Sequence, residues 1–213
     1  MNGWPGRIVP VAIVLACVSV SRCSKTSAPP EPADQAKAAV PGRAAAPADQ
    51  PVNADAKAVA GFLDRVNQYA ALHQKLENSL PKLSKESTPE QIDKHQRALS
   101  KMIQDARKDA KPGDLFTPES QVVFKQLLAK VFGGPDGAAL KASIMDENPG
   151  VPSLKVNDRY PDAVPVSTIP PQVLEGLPKL PEEMEFRFVG NDMILMDTHA
   201  HVVADFVKNA FPQ

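Results

Sequence analysis

The spacing of the apolar residues changes near Pro149, and this change constrains the fold more than any other feature of the sequence. From Ala54 to Asp146, apolar residues recur at intervals of three and four, as on one face of an α-helix. After Pro149 they alternate with polar residues, which is typical of half-buried β-strands. We therefore predict an α+β fold, in which an N-terminal antiparallel bundle of about four helices packs on a small antiparallel β-meander.

Local chemistry marks where the helices begin. A first helix is predicted from Ala54 to a point before Pro81. Thr88 and Thr117 are good N-caps, and each is followed by a proline, which suits the first helical position. Gln91 completes a capping box with Thr88. These signals predict that two further helices begin after the two threonines.

The β-rich part is predicted to contain a short strand and a three-stranded meander. Apolar and polar residues alternate from Leu154 to Tyr160. Farther on, a three-residue loop from Gly190 to Asp192 would place Phe188 beside Ile194, so that the apolar residues of the hairpin share one face. The apolar residues from Val202 to Val207 predict the last strand.

Composition divides the chain into segments. An Ala- and Pro-rich stretch without apolar periodicity cannot bury enough surface to offset chain entropy, and it therefore predicts a disordered linker. The predicted organisation is a signal or anchor segment at 1–23, a linker at 24–53, and a single α+β domain at 54–213 that is helical over 54–147 and β-rich over 148–213.

The N-terminus has the pattern of an export signal. Arg7 precedes a mostly apolar run of 13 residues, Ile8 to Val20, which suits the central part of a secretory signal better than a spanning helix. Two processing routes stay open. Cleavage after Ser21 would follow a small-x-small pattern, whereas the residues ending at Cys17 resemble a bacterial lipobox, which would place a lipid on Cys17.

Charge and cysteine content exclude several classes of function. From Asn53 onward, 19 basic residues face 22 acidic ones, so the domain lacks the basic field that nucleic-acid binding needs. No apolar run of about 18 residues follows the N-terminal segment, so contact with a membrane is expected only there. Both cysteines lie in or beside that segment, which excludes a disulfide framework or a cysteine-based zinc site in the domain.

The stretch Asp197-Thr198-His199-Ala200-His201 is the first candidate site. In a continuous strand, Asp197, His199 and His201 would share one face, near Glu183 or Glu185 on the neighbouring strand. Two imidazoles and a carboxylate are a suitable ligand set for zinc or iron. The alternative is a β-turn begun by Asp197, whose carboxylate would accept a hydrogen bond from the backbone two residues on.

The same stretch resembles the first metal-binding strand of the amidohydrolase superfamily. In those barrels the strand lies near the start, and roughly 200 residues follow it. Here twelve residues follow His201. From the position of the motif we therefore expect no amidohydrolase barrel, and a smaller, unrelated metal site stays open beside the turn.

His73 and His95 are the second candidate pair. Both lie within apolar stripes, and they are almost equally distant from the loop between two predicted antiparallel helices, so they are expected to be level and to face each other. Facing histidines in a bundle can bind a divalent metal or haem iron. The alternative is a structural hydrogen bond to a backbone carbonyl or to a nearby carboxylate such as Glu77.

The stretch "SIMDENPG" and the residues from Val156 to Phe206 resemble a family of exported bacterial proteins with no known activity. The resemblance covers residues 55 to 212. It implies export and no particular chemistry, so no functional residue is carried over. The leading hypothesis is an exported, non-catalytic module that binds an envelope component or a protein partner. The alternatives are a metal-binding protein or metal-dependent hydrolase that uses Asp197, His199 and His201, and a bundle that binds metal or haem through His73 and His95.

Overall fold

The computed structural model describes residues 53–148 and 153–212. Within them, five helices precede a three-stranded antiparallel sheet of order β1-β2-β3, which confirms the predicted α+β fold. None of the described helices combines the length and apolar character needed to cross a membrane. The elements are α1 (Ala54–Glu77), α2 (Pro89–Ala106), α3 (Pro118–Phe132), α4 (Gly137–Glu147), α5 (Pro171–Leu174), β1 (Met184–Val189), β2 (Asp192–Asp197) and β3 (Val202–Val207).

The predicted signal segment at 1–23, with Cys17 and Ser21, lies outside the described residues, and so does the linker up to residue 52. Asn53, the last residue assigned to the linker, caps α1 by accepting a hydrogen bond from the Asp55 N–H. The first helix therefore begins where the apolar spacing predicts.

The predicted helix starts at Thr88 and Thr117 are confirmed. Thr88 forms a complete capping box, because its hydroxyl accepts the Gln91 N–H while the Gln91 side chain accepts the Thr88 N–H. Thr117 caps α3 by accepting the Ser120 N–H. In both helices the proline occupies the first turn, where its missing N–H removes no helical hydrogen bond.

The hairpin between β1 and β2 has a two-residue loop, so the predicted three-residue loop is wrong. Val189 pairs with Asp192, and Phe188 pairs with Met193 instead of Ile194. Gly190 has a φ of +56°, which glycine adopts without strain at the first position of a tight hairpin turn.

Burial of both faces of the sheet explains the error in register. Phe188 and Met193 belong to the main core that the helices cover, whereas Ile194 and Met196 pack on the opposite face in a second core around Tyr160. The rule that apolar residues of a strand gather on one face holds only where the other face meets water. In β2 both faces are apolar, so alternation carries no information about the register.

The segment predicted as a strand at 154–160 forms no strand of its own and instead lies along the start of the outer edge of β3. Asn157 donates its N–H to the Val203 carbonyl at 2.8 Å, and Val203 donates its N–H to the Asp158 carbonyl at 3.0 Å. Asn157 has a φ of +69°, which interrupts the extended conformation. Its side-chain amide donates to two carbonyls at the end of α2, at 3.0 and 2.9 Å.

Four phenylalanines join the helices to the sheet. Phe62 of α1 lies 4.8 Å from the rings of both Phe116 and Phe124, and 6.1 Å from that of Phe186 on β1. These centroid separations are those of favourable stacked and edge-on aromatic pairs. The cluster fixes α1 and α3 against the helix-facing side of the sheet.

Asp205 of β3 fixes the loop between α2 and α3. Its fully buried carboxylate accepts backbone N–H groups of Gly113, Leu115 and Phe116 at 2.8 to 3.2 Å. Backbone groups buried without a partner are costly, so this one side chain satisfies donors that the irregular loop cannot satisfy itself.

We expect Asp205→Ala to lower the free energy of unfolding by about 3–5 kcal/mol, because it leaves several buried N–H groups without an acceptor. The measurement is urea-induced unfolding. The dependence of the unfolding free energy on urea concentration should be the same for the wild type and the variant. The control is Asp105→Ala, which removes a two-thirds exposed carboxylate from a surface ion pair with Lys101 and should change stability by less than about 1 kcal/mol. Equal losses in the two variants would contradict this account.

Candidate metal centre

Asp197 ends β2 and faces α1. It lies on the same side of the strand as Met193 and Leu195, and it is fully buried. The chain reverses at residues 198–201, as the turn interpretation predicts, and Asp197 Oδ1 accepts the Ala200 N–H at 2.8 Å. This contact reaches three residues along the chain instead of the expected two. The continuous strand that would align Asp197, His199 and His201 is therefore not formed.

The other oxygen of Asp197 binds two side chains of α1. Oδ2 accepts the Tyr69 hydroxyl at 2.9 Å and lies 2.6 Å from Nδ1 of His73. Burial and then the charge of Asp197 raise the pKa of Tyr69 well above its usual value, so the phenol keeps its proton and donates it. With donors on both oxygens, the carboxylate acts as an acceptor, and Nδ1 of His73 therefore carries a proton.

The second ring nitrogen of His73 faces another carboxylate. Nε2 lies 3.3 Å from Oε2 of Glu77, one helical turn farther along α1. With its proton on Nδ1, a neutral His73 would present a lone pair to that oxygen, which is repulsive. The contact is attractive only if a proton lies between the two atoms or if both atoms bind a cation.

The surroundings of His73 favour positive charge at this position. Burial lowers the pKa of His73, but the hydrogen bond to Asp197 and the negative charges of Asp197, Glu77 and Glu183 outweigh burial, and the net effect is a raised pKa. A carboxylate behind one imidazole nitrogen is also the arrangement that orients metal-binding histidines in known sites.

His199 completes a cluster with His73 and Glu77, which we call the His-Glu cluster. The turn after β2 brings His199 Nδ1 to 3.2 Å from Oε1 of Glu77, and the two imidazole rings lie 5.3 Å apart. One potential ligand atom from each residue lies within 4.8 Å of the other two. His73 is buried, Glu77 is one-third exposed and His199 is 44% exposed, so the cluster opens to solvent on one side.

These separations approach those around a small tetrahedral ion. Bonds of about 2.0–2.2 Å at tetrahedral angles place neighbouring ligand atoms about 3.3 Å apart. The two imidazole-to-carboxylate distances are 3.3 Å, from His73 to Oε2, and 3.2 Å, from His199 to Oε1, so each imidazole faces a different oxygen of Glu77. For both imidazoles and one of these oxygens to bind a single ion, ligand atoms that now lie within 4.8 Å of one another must draw closer, and the exposed ring of His199 has the freedom to rotate.

The remaining predicted residues occupy different surroundings. His95 lies near the cluster, with Nε2 3.9 Å from Oε1 of Glu77, so the two histidines predicted to be level share a carboxylate. His201 turns away, and its Nδ1 lies 3.1 Å from Asp162. Among the described residues, the structure thus brings His73, His95 and His199 to Glu77 and leaves His201 outside.

The two glutamates expected near Asp197 are engaged elsewhere. Glu183 Oε1 accepts the side-chain amide of Gln74 at 2.6 Å, and Glu185 pairs with Arg187. Sequence reasoning treated Glu77 only as a structural partner of His73. Its place four residues after a histidine on one helical face was the available signal for a ligand.

No protein-family model, curated protein or solved structure matches the chain. The chemistry available to this site therefore follows from the donor set itself. Two imidazoles and one carboxylate, with a second carboxylate behind a buried imidazole, form a ligand set that suits zinc or non-haem iron.

Without metal, we expect stability to fall as the pH rises from about 6.5, the ordinary histidine pKa, through the raised pKa of folded His73. At lower pH both the folded and the unfolded state hold the proton. Between the ordinary pKa and the raised pKa, only the folded state holds the proton on His73. As the pH rises through this range, folded His73 loses its proton and the stabilising ion pair that it forms is lost. Urea unfolding in the presence of a chelator, from about pH 6 to about pH 9, measures the trend.

His73→Gln is expected to remove this contribution while keeping a hydrogen bond to Asp197. His201→Gln, which alters a histidine outside the cluster, is the matched control and should retain the trend. A wild-type profile with no decrease over this range would contradict the protonation assigned to His73.

Proposed function

We propose that this protein is exported and binds one divalent transition-metal ion, with zinc as the best match, through His73, Glu77 and His199. In this proposal it acts as a non-catalytic binding module of the cell envelope. The proposal joins one histidine from each of the two candidate pairs and adds a glutamate. It leaves His201 out of the ligand set.

One observation carries the proposal. The buried ring of His73 is held by Asp197 on one side, and on the other side its second nitrogen meets the carboxylate of Glu77, which His199 also reaches. Two lone-pair donors in contact need a proton or a metal ion between them. At neutral pH an ion that binds both nitrogens and the carboxylate satisfies all three groups at once.

The contacts favour a single ion over haem. Two histidines that bind haem iron need room between them for a flat macrocycle. Glu77 instead contacts both His73 and His95, at 3.3 and 3.9 Å, and stands where that ring would have to pass. Zinc prefers a compact tetrahedral set of imidazole and carboxylate ligands, whereas iron in comparable protein sites prefers a facial triad with several open positions.

Export is supported by the sequence. The apolar run of Ile8 to Val20 after Arg7 matches a secretory signal, and the Ala- and Pro-rich stretch after it suits a tether between an envelope surface and the domain. In an oxidising compartment, a site made of imidazole and carboxylate has no thiol to lose by oxidation.

Zinc binding is tested with the full chain, purified without a polyhistidine tag and stripped with a chelator. Titration against a chromogenic competitor should give one tightly bound zinc per chain. His199→Ala should weaken binding by more than tenfold, since the loss of a direct ligand exceeds the roughly 10–100-fold cost of losing an outer partner. Because His199 is partly exposed, we expect this variant to stay folded, so that the loss of binding reports on the ligand itself.

His201→Ala is the matched control, because it removes a histidine two residues away that pairs with Asp162. It should bind zinc as the wild type does. Equal weakening in both variants, or no zinc binding by the wild type, would contradict the proposed site.

Export is tested by fractionation of bacterial cells that produce the untagged chain, followed by mass spectrometry of its N-terminus. We expect the chain outside the cytoplasm and shortened. A chain that begins at Arg22 would indicate cleavage after Ser21, and a lipid-modified Cys17 would indicate anchoring. An intact chain beginning at Met1 in the cytoplasm would contradict export.

A further inference from the structure

We propose that His95 is the fourth protein ligand of the ion and closes its coordination sphere. This inference rests on the proposed metal site at His73, Glu77 and His199. It goes beyond that proposal because the number of protein ligands distinguishes a closed site, which only holds its metal, from a site with an open position for water or substrate. Structural and storage zinc sites use four protein ligands, whereas catalytic sites keep one position for water or substrate.

The position of His95 supports a ligand role. Its Nε2 lies 3.9 Å from Oε1 of Glu77, compared with 3.2 Å for His199 Nδ1 at the same oxygen. In a tetrahedral site the corresponding separation is about 3.3 Å. His95 therefore has to close on Glu77 by about 0.6 Å, and it must also turn toward the other two imidazoles, since the group whose ligand atoms already lie within 4.8 Å of one another consists of His73, Glu77 and His199.

The neighbourhood of His95 leaves room for that rotation. Its ring lies beside an open cavity of about 400 Å³, and its side chain is 12% exposed. The cavity is bordered by Leu80, Leu83, Lys94 and Ala98. Neither Asp nor Glu lines it, so within the described residues Glu77 is the carboxylate that His95 faces.

Four ligands would come from three separate elements. His73 and Glu77 lie on α1, His95 lies on α2, and His199 lies in the turn between β2 and β3. An ion held by all four joins the helical pair to the sheet at one point. Because it binds only the folded arrangement, it stabilises the domain by an amount that grows with the logarithm of its concentration relative to its dissociation constant.

The experiment uses cobalt as a spectroscopic substitute for zinc in the full chain. The visible absorption of cobalt reports its coordination, and azide serves as a small ligand that enters an open position. We expect the wild-type spectrum to be unchanged by azide. His95→Ala should bind cobalt more than tenfold more weakly and should gain a spectrum that responds to azide, because the vacated position admits it.

His201→Ala again serves as the control and should behave as the wild type. Circular dichroism of the metal-free variants checks folding, and His95→Gln replaces His95→Ala if the alanine variant does not fold. A wild-type spectrum that responds to azide would overturn the inference, as would a His95 variant with wild-type affinity or one whose spectrum ignores azide. Each of these outcomes leaves the three-residue site standing, whereas failure of the wild type to bind cobalt or zinc would refute the proposed function itself.

Discussion

The buried carboxylate of Asp197 is the interaction on which the arrangement of this domain depends. A carboxylate removed from water is costly unless donors surround it, and Asp197 has three: the Tyr69 hydroxyl, the His73 ring and the Ala200 N–H. Two of these donors lie on α1, and the third lies in the turn after β2. One group therefore aligns the long first helix with the sheet and shapes the turn that carries His199. The candidate site is a consequence of this alignment.

Much of the fold could be predicted from the sequence because its signals are local. Thr88 with Gln91, and Thr117 with the proline after it, satisfy backbone groups within one turn, and the structure repeats them. The register of the hairpin could not be predicted in the same way. The choice between Met193 and Ile194 as the partner of Phe188 depends on whether the second face of the sheet is covered, and a distant segment around Tyr160 decides that.

The site was only partly predictable, for a related reason. The level placement of His73 and His95 followed from the length of a helical hairpin, and both reach Glu77. The meeting of His73 with Asp197 joins residues 124 positions apart, and no local pattern encodes such a contact. The two candidate pairs therefore looked like competing hypotheses, although the fold brings both histidines of one pair and one of the other to the same carboxylate. The separation of His199 from His201 depends on a turn in which His201 adopts a φ of +56°.

The segment along the outer edge of β3 bears on the solubility of the chain. All six residues of that strand are buried, and such an apolar strand with free backbone groups is a template for pairing with other molecules. Asn157 and Asp158 instead occupy the backbone groups of Val203 at 2.8 and 3.0 Å, and Tyr160 donates its N–H to the His201 carbonyl, just before the strand, at 2.8 Å. A stretch too irregular to count as a strand thus covers the start of this edge of the sheet. Substitutions that loosen it would favour self-association of the folded chain before they favour its unfolding.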